Sequence, residues 1–289
     1  MPSDQHVNTS EESRYDRVCD RGSDCEREHD HFRGPLQQRP SLRAGQVSQV
    51  ITVPPECSKP PRTERRWVTW SDAEFPRQLQ QMLQPPTALR VEGGLHAFVS
   101  MPCLAIIGTR EISPPSEVWM RRELHRLKGP VMIVSGGARG VDALAHQIAL
   151  ERGWPTGVLM PSGLDCPYPE HWSRHRYTVL QGGGFFMSEF RDDQPMRKSH
   201  FAARNRLIAG LADFVLLVEA RQRSGSSITT SHARENGREL GALPWSPLDL
   251  CGELNNQLIV DGAHLIRSAE DLSNLLHAEF ARRRHEVKS

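Results

Sequence analysis

The chain of 289 residues has little of three things: lysine, aromatic residues and long apolar runs. Its only lysines are Lys59, Lys128, Lys198 and Lys288, so arginine must carry almost all of the positive charge. Aromatic residues make up 6% of the chain. No apolar run approaches the ~18 residues that a membrane-spanning helix needs. We therefore expect no transmembrane segment and no membrane partner.

Other absences bear on the compartment. The first residues, MPSDQHVNTSEESRYD, hold neither a basic nor an apolar stretch, so we expect no secretion. The six cysteines have no regular spacing, which is typical of a reducing compartment rather than a disulfide framework. We therefore predict a cytoplasmic protein. A net charge of +1 excludes a bulk polycation, so any nucleic-acid binding must come from a local basic patch.

The N-terminal part differs in amino-acid composition from the rest of the chain. Residues 1–65 are polar, mixed in charge and rich in proline at their end, so we predict a disordered or weakly ordered tail. Four residues of this tail are possible zinc ligands, but their spacing matches no compact finger and we predict no metal site: Cys19, Cys25, His29 and His31. Residues 66–100 follow as a small cap segment with a short helix and a short strand.

From residue 101 to about 280, apolar strand-like runs alternate with helix-like segments. The runs are CLAIIG, VMIVSG, TGVLMP, GFFMSEF, DFVLLVEA and ELGALP. Because they are continuously apolar rather than alternating, they indicate strands buried on both faces, hence a parallel sheet covered by helices. We predict an α/β, Rossmann-like doubly wound fold with a mainly parallel sheet and helices on both faces. A basic tail, residues 281–289, ends the chain.

The turns that follow the predicted strands are made of small, often hydroxylated residues. In a doubly wound sheet the ligand crevice lies at the carboxyl ends of the strands. Small residues expose backbone N–H groups there, and helix N-termini favour an anion such as phosphate. This position holds Gly108, Thr109 and Arg110, then Ser135, Gly136, Gly137, Ala138, Arg139 and Gly140, then Ser162. The turn SGGARG is no standard nucleotide motif, so tight helix packing is an alternative role for its glycines.

A second motif, MRKSHFAARNRLIAG, spans residues 196–210. It holds four basic residues and no acid between Arg197 and Arg206, together with an aromatic ring. Basic residues can hold phosphates while the ring stacks on a base, which suits single-stranded nucleic acid. The alternative is a solvated helix start whose ring lies in the core. The candidate binding residues of this motif are Lys198, Phe201, Arg204, Asn205 and Arg206.

Enzymatic chemistry is weakly supported by the sequence. A hydrolase needs a nucleophile with a base, or a pair of carboxylates. Ser135, His146, Glu189 and Glu219 are candidates, but the chain has no nucleophile elbow and no metal motif. We therefore predict a binding protein without catalytic residues, cofactor or metal. A Rossmann-like protein that binds, hydrolyses or senses nucleotides is the alternative, although SGSSITTSHARE only loosely matches the glycine-rich turn of that class.

Several motifs, taken in order, resemble the DNA-processing protein A family, also called DprA or Smf. They are FPRQLQQMLQPPTALRVEGG (75–94), IIGTR (106–110), SGGARGVDALAH (135–146), LDCPYPEH (164–171), SEF (188–190), RKSHFAARNRLIAGLADFVLLVEA (197–220), SGSSITTSHARENGREL (224–240) and NNQLIVDGA (255–263). The resemblance implies a cytoplasmic, non-enzymatic homodimer that binds single-stranded DNA, protects incoming strands in natural transformation and loads the recombinase RecA. It further implies that Arg110, Lys198 and Phe201 belong to the DNA-binding pocket.

Overall fold

The computed structural model of the chain describes residues 64–286. The candidate zinc ligands Cys19, Cys25, His29 and His31 and nearly all of the predicted N-terminal tail lie outside the described residues, as do residues 287–289. Between residues 64 and 286, no helix is long and apolar enough to cross a membrane. The same range holds no group of three or more His, Cys, Asp or Glu side chains placed to bind a metal ion.

The described residues form one nine-stranded sheet with the strand order β1-β2-β6-β5-β4-β3-β7-β8-β9. Strands β3 to β9 pair in parallel, while β1 and β2 join the β6 edge as antiparallel strands. The strands are β1 (Arg65–Thr69), β2 (Ala88–Gly93), β3 (Cys103–Ile107), β4 (Met132–Ser135), β5 (Thr156–Leu159), β6 (Phe185–Ser188), β7 (Phe214–Leu217), β8 (Glu239–Ala242) and β9 (His264–Leu265). The predicted mainly parallel α/β sheet is thus confirmed.

Helices cover both faces of this sheet, as predicted. Successive residues of β3 point to opposite sides: Leu104 and Ile106 pack in a core with α3, α4 and α9, whereas Cys103 and Ala105 pack in a core with α6, α7 and α8. The helices are α1 (Arg77–Gln80), α2 (Ala97–Ser100), α3 (Pro114–Arg126), α4 (Val141–Glu151), α5 (Trp172–Gln181), α6 (Lys198–Leu211), α7 (Gly225–Glu235), α8 (Glu253–Val260) and α9 (Ala269–Glu286).

The predicted cap and C-terminal tail are continuous with this domain. Residues 66–100 contribute β2 and most of β1 to the sheet, and Phe75 and Leu79 share the core of α6. Residues 281–286 continue α9, where the Arg283 Nε atom lies 2.9 Å from the Asp213 Oδ1 atom. A short segment has too few apolar side chains to form its own core, so it buries them against the core of the main domain. Neither segment therefore forms a separate domain.

The winding of the sheet reverses between β3 and β7, which are neighbours in it. The fully buried Asn255 of α8 fixes the backbone at this switch point. Its side chain accepts a hydrogen bond from the Ala220 N–H and donates to the carbonyl oxygens of Leu217, Val218 and Leu243. The motif NNQLIVDGA begins at Asn255, but the residue type alone does not reveal that this side chain is buried at the switch point.

We expect the substitution Asn255→Ala to lower the free energy of unfolding by about 2–4 kcal/mol, because it leaves buried backbone groups without partners. Urea unfolding followed by circular dichroism measures the change. Gln257→Ala, on an exposed position of the same helix, is the control and should shift stability by less than about 0.5 kcal/mol. Equal losses in the two variants would contradict the assigned role of Asn255.

Candidate nucleic-acid interface

Two adjoining cavities open at the carboxyl ends of the strands, where the winding reverses. The first cavity, about 370 Å³, lies between the turn after β3 and the turn after β7. The second cavity, about 690 Å³, lies between the turn after β4 and the loop after β5. The two share one wall, formed by Arg110, Glu111, Ala138, Phe201 and Arg204. Together they form a single groove, in the position where doubly wound sheets bind ligands.

A buried guanidinium group, that of Arg204, lies under both cavities and is only 6% exposed. It fills the space beside Gly136, where an added Cβ would lie 1.4 Å from the Arg204 Nη1 atom. Nη1 donates to the Leu159 carbonyl oxygen at 3.5 Å, and within the described range Nε has no hydrogen-bond partner. Burial lowers the pKa of Arg204 to about 10, although Asp142 opposes this shift. The group therefore stays charged near neutral pH and retains unused donors.

The SGGARG turn already contacts a carboxyl group, that of Asp142 in α4. The Ala138 N–H donates to Asp142 Oδ2 at 3.3 Å. Burial raises the pKa of Asp142, while Arg204 and the backbone donors of the turn act to lower it. The Ala138 N–H is therefore already used within the fold, and binding of an external phosphate by the turn stays a prediction. Gly140 serves packing instead, because its φ is +75° and a Cβ would lie 2.4 Å from the Thr109 carbonyl oxygen.

Four other predicted binding residues line neither cavity and are wholly or partly buried in the fold. The fully buried Ser135 donates from Oγ to the Ile106 carbonyl oxygen at 2.6 Å, and Ser162 is also fully buried. The carbonyl oxygen of buried Gly137 accepts from the Trp172 Nε1–H at 2.8 Å. Arg206 pairs with Glu189 and lines neither cavity. Their role as contact residues stays a prediction, because a position at a strand end does not reveal how far a side chain is buried.

The remaining predicted residues lie at or beside the groove. Arg110 is exposed, with its guanidinium carbon 5.9 Å from the centre of the Phe201 ring, and the Arg204 carbon lies 5.7 Å from the same centre. Lys198 is exposed at the start of α6, one turn before Phe201 and outside both linings. The predicted residues that line the groove are Gly108, Thr109, Arg110, Gly136, Ala138, Arg139, Phe201, Arg204 and Asn205.

The N-terminus of α7 completes the first cavity, although none of its residues was among the predicted contacts. Helix α7 has no acidic residue in its first turn, and within residues 64–286 the buried Ser224 Oγ has no hydrogen-bond partner. Unpaired N–H groups and the helix dipole favour an anion at this end. Arg221 and Arg223 lie beside it. The sequence signal was present, because the small residues of RSGSS directly follow a buried strand run.

The candidate catalytic groups each contact a neighbour within the fold. The Glu219 carboxylate accepts hydrogen bonds from the Ser113 N–H at 3.0 Å and the Ser113 hydroxyl at 2.8 Å, at the start of α3. Burial raises the pKa of Glu189, and the pairing with Arg206 opposes that shift. The His146 Nδ1 atom lies 2.7 Å from the Thr156 hydroxyl, and burial lowers the pKa of His146 to about 3. Each group is thus committed to a neighbour inside the fold.

The fold and the groove define a class: a Rossmann-like α/β protein with a basic, aromatic strand-end site. The groove presents five arginines against three carboxylates, those of Glu111, Asp142 and Glu170, and it includes the rings of Phe201 and Tyr168. Arginine and aromatic rings together suit a phosphate backbone that carries planar bases.

The chain belongs to the DNA recombination-mediator protein A family, whose family model matches residues 66–277. It is 34% identical over 198 residues to the DNA processing protein DprA of Streptococcus pneumoniae, covering 68% of this chain and 70% of that protein. It is 40% identical over 205 residues to the protein Smf of Escherichia coli. That match covers 70% of this chain but only 54% of Smf, so the chain spans about half of that relative. The predicted family is confirmed.

Solved structures of relatives confirm the fold. The structure of DprA from Streptococcus pneumoniae matches with a TM-score of 0.66 and 34% identity, covering 74% of this chain and 73% of that chain. A structure that describes the single-stranded DNA binding mode of DNA processing protein A from Helicobacter pylori matches with a TM-score of 0.64 and 30% identity. It covers 74% of this chain and 97% of the Helicobacter chain.

We expect Gly136→Ala to lower the free energy of unfolding by about 2–3 kcal/mol, because the new methyl group displaces the Arg204 guanidinium from its place in the turn. Thermal and urea unfolding measure the effect. The control is Gly225→Ala, where an added Cβ meets nothing within 4 Å and stability should change by less than about 0.5 kcal/mol. A Gly136→Ala variant as stable as the Gly225→Ala variant would refute the close fit of the guanidinium against Gly136.

Proposed function

We propose that this protein binds single-stranded DNA along the groove and acts in DNA processing during recombination. One observation carries the proposal: arginines and aromatic rings converge at the switch-point edge of the sheet, in a chain of the recombination-mediator family. The match covers 97% of the chain of DNA processing protein A from Helicobacter pylori, whose solved structure describes a single-stranded DNA binding mode. That match supports the choice of ligand.

The groove assigns a separate role to each kind of side chain. Arg110, Arg139 and Lys198 are exposed and hold phosphates, while the buried Arg204 supplies a fixed positive charge beneath them. The aromatic rings of the shared wall and the second cavity contact bases. Ring and phosphate contacts are the same for every sequence, so binding is insensitive to sequence and falls steeply with salt.

The protein acts by binding rather than by chemistry, in the cytoplasm. Support comes from the four candidate catalytic groups, Ser135, His146, Glu189 and Glu219, each of which is held by a neighbour in the fold. Protection of incoming strands and loading of RecA onto them complete the proposal, supported by the recombination-mediator family. The alternative is a nucleotide-binding or nucleotide-hydrolysing protein, and the volume of the first cavity, about 370 Å³, lies within the range of small-ligand sites.

The double substitution Arg110→Ala with Lys198→Ala should weaken binding of a labelled oligo-dT at least ~10-fold at moderate salt, because it removes two phosphate contacts. The slope of log affinity against log salt should become shallower by about 1.4. Fluorescence anisotropy measures both quantities.

The matched control is Arg126→Ala with Lys128→Ala, which removes the same charge from the last residue of α3 and the loop before β4. That variant should bind within about twofold of wild type, since neither residue lines either cavity. Wild-type affinity in the Arg110/Lys198 variant would refute the groove as the DNA site.

A homodimer forms through the β9 edge of the sheet. Leu248 is 93% exposed and Val260 is 82% exposed, with Leu250 and Leu265 also exposed in the same short segment. Several exposed apolar side chains close together in the chain are typical of a protein interface.

Val260→Glu should convert the dimer to a monomer, because a carboxylate cannot be desolvated in an apolar interface without a partner. Size-exclusion chromatography with light scattering gives the mass directly. Val118→Glu, at a position 61% exposed on α3, is the control and should remain dimeric. A wild-type chain that is monomeric at micromolar concentration would exclude the proposed interface.

A further inference from the structure

We propose that Tyr168 supplies a base-stacking surface in the second cavity, so that one nucleotide of the bound strand lies there with its base against the Tyr168 ring. The inference rests on the proposed function of the groove and adds a specific contact to it. The proposed function gives base contacts to the aromatic rings of the groove as a group, and the inference assigns the stacking surface to one of them, Tyr168, in the loop between β5 and α5.

The first step concerns which ring has free surface. Phe201 is partly buried and is contacted by the guanidinium groups of Arg110 and Arg204, and by Tyr168 at a centroid distance of 5.8 Å. Tyr168 is 39% exposed and lines the second cavity. It is therefore the aromatic side chain of the groove with the larger open surface, while Phe201 supports it from behind.

The second step concerns the fixed position of the Tyr168 ring. Pro167 and Pro169 flank it in the chain, and each proline restricts its own φ. The edge-to-face contact with Phe201 restrains the side chain as well. A ring already held in place loses little conformational entropy when a base stacks on it, so the contact is an efficient one.

The third step concerns the charges that accompany the ring. Arg139 and Arg110 line the same cavity and are exposed, so a phosphate on either side of the stacked nucleotide meets a guanidinium group. The volume of about 690 Å³ lies within the range of small-ligand cavities. The Tyr168 ring and the guanidinium groups of Arg110 and Arg139 thus line one cavity that is large enough for a nucleotide.

The geometry also has a consequence for the path of the strand. The planes of Tyr168 and Phe201 meet at 85°. A base lying on Tyr168 therefore cannot continue a parallel stack with a base lying on Phe201. The strand must unstack and bend where it crosses the shared wall, which a base-paired duplex cannot do without losing its pairing. Tyr168 thereby contributes to the preference for single strands.

The decisive variant is Tyr168→Ala in the full chain, measured by anisotropy with a labelled oligo-dT. Loss of one base-aromatic stack should weaken binding about tenfold. Tyr168→Phe keeps the ring and should rescue most of this loss. Tyr177→Ala, on α5 and outside both linings, controls for the removal of a tyrosine and should bind as wild type.

A second measurement uses the wild-type protein and so does not depend on folding of the variant. Oligo-dT carrying one 5-iodouracil is irradiated on the protein, and the cross-linked peptide is identified by mass spectrometry. Cross-linking at Tyr168 supports the proposal. Strong strand binding with no cross-link at Tyr168, or with Tyr168→Ala binding as wild type, overturns it while the proposed function stands. A wild-type protein that binds no strand overturns both.

Discussion

The guanidinium group of Arg204, buried against the glycine turn after β4, is the contact on which the groove depends. It joins α6 to the end of β5 through the Leu159 carbonyl oxygen, and it faces the Asp142 carboxylate of α4. A buried charge is costly unless its surroundings compensate it, and here the compensation is partial, because Asp142 opposes only part of the pKa shift. Arg204 lines both cavities, and its Nε has no hydrogen-bond partner in the described residues. A DNA phosphate in the groove would therefore be attracted to this guanidinium group.

The reversal of winding between β3 and β7 explains why the groove lies where it does. The turns after β3 and β7 diverge at this point and leave a cleft that helices α6 and α7 border. Asn255 fixes the backbone below the cleft, and Asn205 ties α6 to the first residue of α7 through the Gly225 carbonyl oxygen. These buried amides hold the walls, while the exposed arginines remain free for a ligand. Stability and binding are thus assigned to different side chains in one region.

The sequence predicted the strands β3 to β8 well because each is a continuous apolar run whose burial needs no knowledge of its partners. It also predicted that the groove lies at the carboxyl ends of the strands, because identifying the strands identifies where each of them ends. It could not predict what depends on tertiary contacts. Ser135 and Ser162 are fully buried, Arg206 pairs with Glu189, and the Ala138 N–H of the SGGARG turn donates to Asp142. The pairing of β2 with β6, and of β1 with β2, is likewise a tertiary contact between segments far apart in the chain or joined by a loop.

The central claim is that the groove takes a nucleic-acid strand rather than a single nucleotide. Its most direct test is anisotropy with a labelled oligo-dT of about 35 nucleotides, longer than the ~4–16 nucleotides that known single-strand binding folds occupy. Unlabelled strand, matched duplex and thymidine monophosphate serve as competitors. The account predicts tight, salt-sensitive binding that only the single strand displaces. Weak strand binding, together with equal displacement by the mononucleotide, would contradict it and favour a nucleotide site.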